Sequence, residues 1–288
     1  MAVDIEAGVV TEPTARGTTS VSHRWSDDKK KMDVQSRRRL ERTVYFASPV
    51  LFLAVWELAS KRDWIDSRFF PPPTVVFSAI GELAENGQLW ADVSKSLTRI
   101  GIGFVMGAIP GILIGLAIGL MPMFRAFVQP IVDATFPLPK LALVPLFILV
   151  FGIGEMSKYM IVASAVFYLV LINTADGVRH IDDIYFDVAK NSEASRWLMF
   201  RKVALPGALP DMMTGLRLAL GIALLVIVGA EFINAREGVG YLIWSSWQTF
   251  RIDYMYAGLF LAAAIGIVFA VSLRALEKFV IPWKPERY

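Results

Sequence analysis

The chain has 288 residues, of which 55% are hydrophobic and only 19% are charged. Soluble domains are about a quarter charged, so this composition favours an integral membrane protein over a soluble enzyme or binding module. The absence of cysteine excludes disulfides, thiolate metal sites and thiol nucleophiles. The two histidines, His23 and His180, lie in the predicted tail and in a loop, which argues against a histidine-based metal site or triad. The net charge of +3 is small, so the placement of the charges matters more than their sum.

The first segment, residues 1–42, is rich in Thr, Ser, Asp, Lys and Arg. Such a segment cannot bury enough apolar surface to become ordered, which predicts a flexible cytoplasmic tail. An alternative is an interaction arm built on the basic run Lys29–Lys30–Lys31. The remainder, residues 43–288, is predicted to be one transmembrane domain.

Six stretches approach the roughly 20 apolar residues that a membrane-spanning helix needs. The fold class predicted from them is an all-α membrane protein. Between the first two stretches, a triple proline precedes a short segment with apolar residues at helical spacing, which indicates a short helix. The six predicted spans are 43–60, 100–121, 127–151, 159–175, 212–233 and 256–273.

Lysine and arginine residues are distributed unevenly among the loops. They concentrate in the N-terminal tail, in a polar segment at 176–211 and near the C-terminus, whereas the opposite loops carry far fewer. The positive-inside rule therefore places both termini and the 176–211 segment in the cytoplasm. We call residues 176–211 the island, because they separate two apolar runs.

The second predicted span carries a glycine at every fourth position, a spacing that makes a nearly continuous stripe along one side of a helix. Such small-xxx-small stripes allow helix backbones to approach closely. Two interpretations are open, tight packing within one bundle or a face that moves against a neighbour during gating. The glycines are Gly103, Gly107, Gly111, Gly115 and Gly119.

The third predicted span is interrupted by prolines and carries Lys140 near its middle. A lysine at membrane depth costs about 2.5–3.5 kcal/mol on insertion scales and normally faces a cavity or a partner. We predict that Pro139 and Lys140 line a route for an anion; the alternatives are a pair with Asp133 or a lysine that snorkels to the interface. Glu231, near the end of the fifth span, is a second pathway candidate. The alternative is that it lies at the interface on the outer side of the membrane.

The island combines helix-forming, aromatic and basic residues over 186–202, and Pro206 ends the helix-forming stretch. This pattern predicts two short helices that lie at an angle beneath the membrane. An apolar and basic helix in the cytoplasm suits a groove on another protein. The alternative is anchoring at the lipid headgroups.

The island also resembles a known sequence motif. Asp187-Val188-Ala189, three residues, Glu193, nine residues and Val203-Ala204-Leu205-Pro206 are similar to the EAA loop of ABC importer permeases, which reads Glu-Ala-Ala, three residues, Gly, nine residues and Ile-x-Leu-Pro. Glu193 stands where that family has glycine, and glutamate disfavours the positive φ that glycine allows. The resemblance extends over residues 43–288, through segments such as FPPPTVV, FPLPKLALVPLF and REGVGYL, to the nitrate, taurine and aliphatic-sulfonate branch.

Several expectations follow from this resemblance. It implies a type I importer transmembrane domain of about six helices, present as a homodimer with two cytoplasmic ATPase subunits and a periplasmic or lipid-anchored substrate-binding protein, in the bacterial inner membrane. The substrate is expected to be a small organic or inorganic anion, and no nucleic acid is expected as a partner. The residues implied to couple to the ATPase are Asp187, Ala189, Glu193, Ala194, Ser195, Arg196, Trp197, Leu205 and Pro206.

The chain lacks the phosphate-binding pattern G-x-x-x-x-G-K-[ST]. We therefore expect ATP and Mg²⁺ to be bound by the partner ATPase subunits, and this chain to hold no cofactor and to be no enzyme itself. The alternative function is a secondary transporter or channel that works without an ATPase. Such proteins often show internal repeats and intramembrane carboxylates, whereas this sequence shows no obvious repeat between its halves and few carboxylates deep in the predicted spans.

Overall fold

The computed structural model describes the backbone of residues 21–283 and the side chains of residues 39–41, 43–45 and 47–283. Over this range all regular structure is helical, which confirms the predicted all-α class. Residues 1–20 of the predicted tail lie outside the described residues, and from Val21 the backbone is helical, so the flexibility of the tail stays a prediction. The α-helices are α1 Val21–Lys61, α2 Pro73–Glu85, α3 Gln88–Leu120, α4 Pro122–Thr135, α5 Val144–Phe151, α6 Glu155–Arg179, α7 Asp183–Asn191, α8 Arg196–Met199, α9 Leu205–Asn234, α10 Val239–Gln248 and α11 Ile252–Val280.

Five helical segments are long and apolar enough to cross a membrane, and a bent pair of helices raises this number to six, as predicted. The predicted bounds were too narrow. The second span was predicted to begin at residue 100, whereas α3 begins twelve residues earlier, because the first turns of α3 carry charged residues that resemble a loop in sequence. The five segments are Arg39–Lys61, Gln88–Leu120, Glu155–Arg179, Arg196–Asn234 and Ile252–Val280.

The third predicted span, 127–151, is broken in the structure, as its prolines indicated. Helix α4 ends at Thr135, a 3₁₀ turn covers Lys140–Leu143, and α5 continues at an angle of 88° to α4. Two prolines, Pro137 and Pro139, lie within the break. Proline removes a backbone donor and disfavours helix in the residue before it, so two prolines in three residues account for the sharp bend.

The chain divides into two units after Ala59. The first contains most of α1, which includes Pro49. The second, residues 60–288, contains α2 to α11. The short helix predicted after the triple proline is α2, which begins at Pro73 and buries Val76, Ala79 and Leu83 against Leu89, Leu242 and Ala257.

The centre of the second unit is formed by α3, α6 and α9. Most residues at this centre are small or β-branched, as expected for membrane helices, which associate by close packing because lipid provides no hydrophobic force between them. The central buried residues include Ile100 and Ala108 of α3, Val162, Val166 and Val170 of α6, and Ala219, Ala223 and Ile227 of α9.

Candidate functional site

The island folds into two short helices joined by a tight turn. The first, α7, begins after Asp182, whose Oδ1 accepts a hydrogen bond from Ile184 N at 3.0 Å. Aspartate is a favoured N-cap residue because its carboxylate satisfies a free N–H of the first turn. The second, α8, has Ser195 as its N-cap, and Ser195 Oγ accepts a hydrogen bond from Leu198 N at 3.3 Å.

The turn between α7 and α8 requires the conformation that glycine favours. Glu193 has φ +52°, in the left-handed region. Glu193 N donates to Lys190 O at 2.9 Å and Ala194 N donates to Ala189 O at 3.0 Å, the hydrogen-bond pair of a Schellman C-cap. Glycine is the usual residue at this position of the motif. The chain therefore adopts the glycine-type turn even though Glu193 disfavours it.

Helix α8 continues directly into α9. Residues Phe200–Ala204 form a π turn, and Pro206 follows at the start of α9. Because Pro206 has no N–H to donate to the helical ladder, the wider turn lies where regular bonding is interrupted. The continuous segment Arg196–Asn234 is 39 residues long. It joins the island to the opposite end of the bundle.

The island exposes large apolar side chains. Of the residues predicted to couple to an ATPase, Asp187, Glu193, Ser195, Arg196 and Trp197 are exposed, and Ala189, Ala194, Leu205 and Pro206 are half-buried. Trp197 is 68% exposed and stacks on Phe200, with ring centroids 5.5 Å apart. The other large exposed apolar side chains of the island include Ile184, Tyr185 and Val188.

The opposite end of the bundle contains a buried ionic group, which we call the Arg99 cluster: Asp92, Ser96, Arg99, Glu155 and Glu231. Arg99 is 2% exposed. Its Nε and Nη2 donate to the two carboxylate oxygens of Glu155 at 2.7 and 2.8 Å, and its Nη1 donates to Glu231 Oε1 at 2.7 Å. A guanidinium that is bonded along two edges is held rigidly, because its donors lie in a fixed plane.

The Arg99 cluster also caps helix α10. The backbone N–H of Gly238 donates to Asp92 Oδ1, that of Val239 to Ser96 Oγ, and that of Gly240 to Glu231 Oε2, at 2.8 to 2.9 Å. The first N–H groups of a helix have no partner within the helix, so these three side chains satisfy them. Carboxylates are further favoured there by the helix dipole.

Gly238 and Gly240 are required by this close approach. Gly238 has φ +129°, and a Cβ there would lie 2.5 Å from the Glu231 carboxylate. A Cβ at Gly240 would lie 2.3 Å from Val228 O. Larger residues at either position would therefore displace the capping carboxylate or the end of α9.

The glycine stripe of α3 faces α6. A Cβ built at Gly107 would lie 2.3 Å from Ala163 O, and one at Gly115 would lie 2.6 Å from Leu171 O. A Cβ built at Gly103, Gly111 or Gly119 would likewise lie 2.5 to 2.9 Å from an atom of α6. The stripe therefore lies where the backbones of α3 and α6 are closest.

The pathway candidates lie at different places. Lys140 sits at the bend between α4 and α5, where its Nζ donates to Thr135 O at 3.2 Å and Phe136 O at 3.3 Å and lies 4.1 Å from the Tyr168 ring centre. Lys140 thus bonds the last carbonyls of α4, and the alternative pair with Asp133 is not formed. Pro139 precedes it directly.

Glu231 was predicted to line the pathway or to lie at the interface on the outer side of the membrane. It is fully buried, and both of its carboxylate oxygens already accept hydrogen bonds from Ser96, Arg99 and Gly240. Its position at the end of α9 therefore gives it a structural role in the Arg99 cluster, away from solvent.

Sequence reasoning missed Arg99, Ser96, Asp92 and Glu155. A signal for the first three was present, because Asp92, Ser96 and Arg99 precede Gly103 at spacings of four, three and four residues. They extend the glycine stripe along the same side of α3. Polar residues that continue a packing stripe indicate a buried polar cluster.

A cavity of about 640 Å³ adjoins the Arg99 cluster. Its charged lining residues are four cations and two carboxylates. The carboxylate of Glu155, whose side chain is 38% exposed, forms part of the wall. The charged residues of the lining are Lys95, Arg99, Glu155, Lys158, Arg236 and Glu237.

Comparison with known proteins assigns the chain to a family. The sequence-family model described as the binding-protein-dependent transport system inner membrane component matches residues 111–283, which is more than half of the chain. The chain belongs to this family. It is an ABC importer permease of the nitrate, taurine and aliphatic-sulfonate branch, which confirms the resemblance noted in the sequence.

Two relatives illustrate the similarity of this permease to others. The taurine transport system permease protein TauC of Escherichia coli is 33% identical over 249 residues, which cover 85% of this chain and 90% of TauC. SsuC of the same organism, named for aliphatic sulfonates transport, is 35% identical over 237 residues, which cover 82% of this chain and 90% of SsuC.

A solved structure shares the fold of this permease. A chain of a bacterial ABC transporter involved in import of the acidic polysaccharide alginate superimposes with a TM-score of 0.60 at 18% identity, over 88% of this chain and 98% of that one. At this identity the similarity shows the fold alone. The predicted type I importer transmembrane domain is thereby confirmed.

Proposed function

We propose that the chain forms the membrane pathway of an ATP-driven importer for a small anion of the sulfonate, taurine or nitrate type. In this proposal two copies of the chain assemble with two cytoplasmic ATPase subunits and receive the anion from a separate substrate-binding protein. ATP and Mg²⁺ bind to the ATPase subunits. Both termini and the island lie on the cytoplasmic side, as the distribution of lysine and arginine predicts.

The observation that carries this proposal is the geometry of the island. A capped helix, a glycine-type turn and a second short helix present Trp197 and other exposed apolar side chains. Solvent-exposed aromatic side chains on a short helix favour insertion into a groove on another protein. An ATPase subunit that binds this surface can apply force to the permease.

The continuous segment Arg196–Asn234 supports a mechanical role for the island. At 1.5 Å per residue, 39 residues extend for roughly 58 Å, which exceeds the membrane thickness. A helix transmits displacement along its axis because its backbone hydrogen bonds lie along that axis, and the segment stays helical through the π turn, Pro206 and Pro210. Movement of α8 is therefore passed to the far end of α9, where Glu231 ties α9 to α3 and α10.

The anionic nature of the substrate is supported by the relatives, which are named for taurine and aliphatic sulfonates. We also propose that the bend at Pro139 and Lys140 lines the pathway. Lys140 is half-buried and is held by two carbonyl groups and an aromatic ring, none of which neutralises its charge. It therefore offers a positive charge at membrane depth, where an anion needs a counter-charge.

Co-purification with the ATPase tests the proposal. We expect the wild-type chain to retain the ATPase, and Trp197→Ala to release it. Trp64→Ala is a matched control, because Trp64 is 67% exposed and lies in the loop between α1 and α2, away from the island. Equal loss of the ATPase from both variants would count against a specific role for the island.

Two further variants, one with residues 194–197 deleted and one with Glu193→Pro, provide a second test. Proline cannot adopt a positive φ, so Glu193→Pro breaks the turn while leaving the membrane spans unchanged. We expect both variants to insert normally and to lose ATP-dependent uptake. Anion uptake by the purified chain in liposomes without any ATPase would instead favour the alternative, a secondary transporter or channel.

A further inference from the structure

The cavity beside the Arg99 cluster has the properties of an anion site. Its volume of about 640 Å³ lies within the range of small-molecule sites, which are typically about 300–1,000 Å³. Cations outnumber carboxylates in its lining by four to two, and the other two carboxylates of the Arg99 cluster, Asp92 and Glu231, are not part of this lining. Under the predicted topology this end of the bundle faces away from the cytoplasm, which is the side from which an importer receives its substrate.

The guanidinium of Arg99 has two edges with different surroundings. The Nη1 donors are directed to Glu231, which is fully buried, and to the backbone oxygen of Glu237. The Nε and Nη2 donors face Glu155, whose side chain is 38% exposed and lines the cavity. One edge of Arg99 is therefore fixed inside the protein, and the other is directed at the cavity wall.

The edge that faces the cavity has the geometry that recognises anions. Two parallel N–H groups of arginine bind the two oxygens of a carboxylate, and a sulfonate presents a similar pair of oxygens. Glu155 occupies this edge in the structure with bonds of 2.7 and 2.8 Å. The carboxylate of Glu155 thus takes the place that an incoming anion would require.

A second cation reinforces this position. Lys158 Nζ lies 3.3 Å from Glu155 Oε1, and the lysine side chain is only 6% exposed. The Glu155 carboxylate therefore lies between two nearly buried cations. If it turns towards solvent, Arg99 and Lys158 are both left without this partner and direct their positive charges at the same small volume.

We propose that the cavity binds a small organic anion, a sulfonate or carboxylate, on Arg99 and Lys158, and that Glu155 is a displaceable carboxylate that occupies this position in the absence of the anion. The choice of anion class rests on the proposed function. Arg236, which is exposed in the lining, attracts the anion from solvent, whereas Lys95 lies 3.7 Å from Glu237 Oε2 and is paired with it. No covalent step is involved, because the anion and Glu155 only exchange places.

Direct binding of methanesulfonate to the purified full-length chain in lipid nanodiscs tests this exchange. Glu155→Gln keeps the size of the side chain and removes its charge, so we expect saturable binding that is about tenfold tighter than in wild type. Lys158→Gln and Arg236→Gln are each expected to weaken binding severalfold. Arg68→Gln, at an exposed arginine between α1 and α2 outside the cavity, is the matched control and is expected to bind as wild type does.

Two results would overturn the proposal: no saturable binding to wild type or Glu155→Gln, or binding that the three cavity variants leave unchanged. Arg236 is exposed, so its variant reports on binding even if Lys158→Gln folds poorly. The outcome is separable from that of the proposed function. A chain that retains its ATPase and imports anions but binds none in this cavity refutes only this inference. A chain that binds the anion here but captures no ATPase in the co-purification refutes only the importer assignment.

Discussion

Replacement of Glu231 by glutamine should destabilise the protein far more than the same replacement of Glu155, although both carboxylates bind Arg99. Glu231 is fully buried, and its oxygens accept hydrogen bonds from Ser96, Arg99 and Gly240. All of these neighbours donate to it. The amide of glutamine would place an N–H group against Arg99 or Gly240 in either orientation, and the negative charge beside Arg99 would be lost.

The magnitude follows from the burial of the two groups. Removal of one partner from a buried ion pair typically costs about 3–5 kcal/mol. Arg99 retains Glu155 and the Glu237 carbonyl, so we expect about 3 kcal/mol for Glu231→Gln. The Glu155 side chain is 38% exposed, and partly exposed pairs contribute about 1 kcal/mol or less. The difference of about 2 kcal/mol is roughly thirtyfold in the unfolding equilibrium.

The two variants can be compared by unfolding the purified protein in lipid–detergent micelles with increasing dodecyl sulfate, followed by tryptophan fluorescence. We expect Glu231→Gln to lower the transition midpoint strongly and Glu155→Gln to lower it only slightly. Equal, small shifts for both variants would refute the conclusion that the buried edge of Arg99 holds α3, α9 and α10 together. A larger shift for Glu155→Gln would refute it as well.

Three further predictions concern the helix interface, the island and the bend. Gly107→Ala should cost about 1–3 kcal/mol by overpacking against Ala163, whereas Gly101→Ala, which has no heavy atom within 4 Å of its new Cβ, should be neutral or slightly stabilising in the same unfolding assay. Glu193→Gly should stabilise the island turn by about 1 kcal/mol, because glycine adopts positive φ without the steric cost, and limited proteolysis of the island should slow; unchanged cleavage would contradict this. Lys140→Ala should reduce anion uptake by the assembled importer while leaving ATPase capture intact, and normal uptake by this variant would return Lys140 to a purely structural role in the α4 bend.

The turn of the island shows both the power and the limit of sequence reasoning. The spacing of the EAA-like motif located the turn, whereas glutamate at the family's glycine position argued against the positive φ that Glu193 adopts. Glutamate, the residue at this position, disfavours a positive φ. The hydrogen bonds of the C-cap and the continuation of α8 into α9 hold Glu193 in place, and neither is readable from the residue itself.

The third span shows where local patterns fail. The prolines at 137 and 139 predicted an interruption, yet the direction of α5 after the break depends on its packing. Lys140 was expected to face an anion route, with a pair with Asp133 or snorkelling to the interface as the alternatives. Its contacts with Thr135 and Phe136 arise from the bend. Its contact with the Tyr168 ring comes from α6, 28 residues further along the chain.

The sequence by itself determined the membrane class, the approximate number of spans, the exposed island and the family. These features depend on properties of contiguous residues: an apolar run is long enough to cross a bilayer or it is not, and a motif keeps its spacing along one chain. Only the tertiary structure decided that Arg99, Glu155 and Glu231 form one buried cluster. Their partnership joins residues 56 and 132 positions apart, and a charge so distant in sequence has a defined neighbour only after α3, α6 and α9 have packed together.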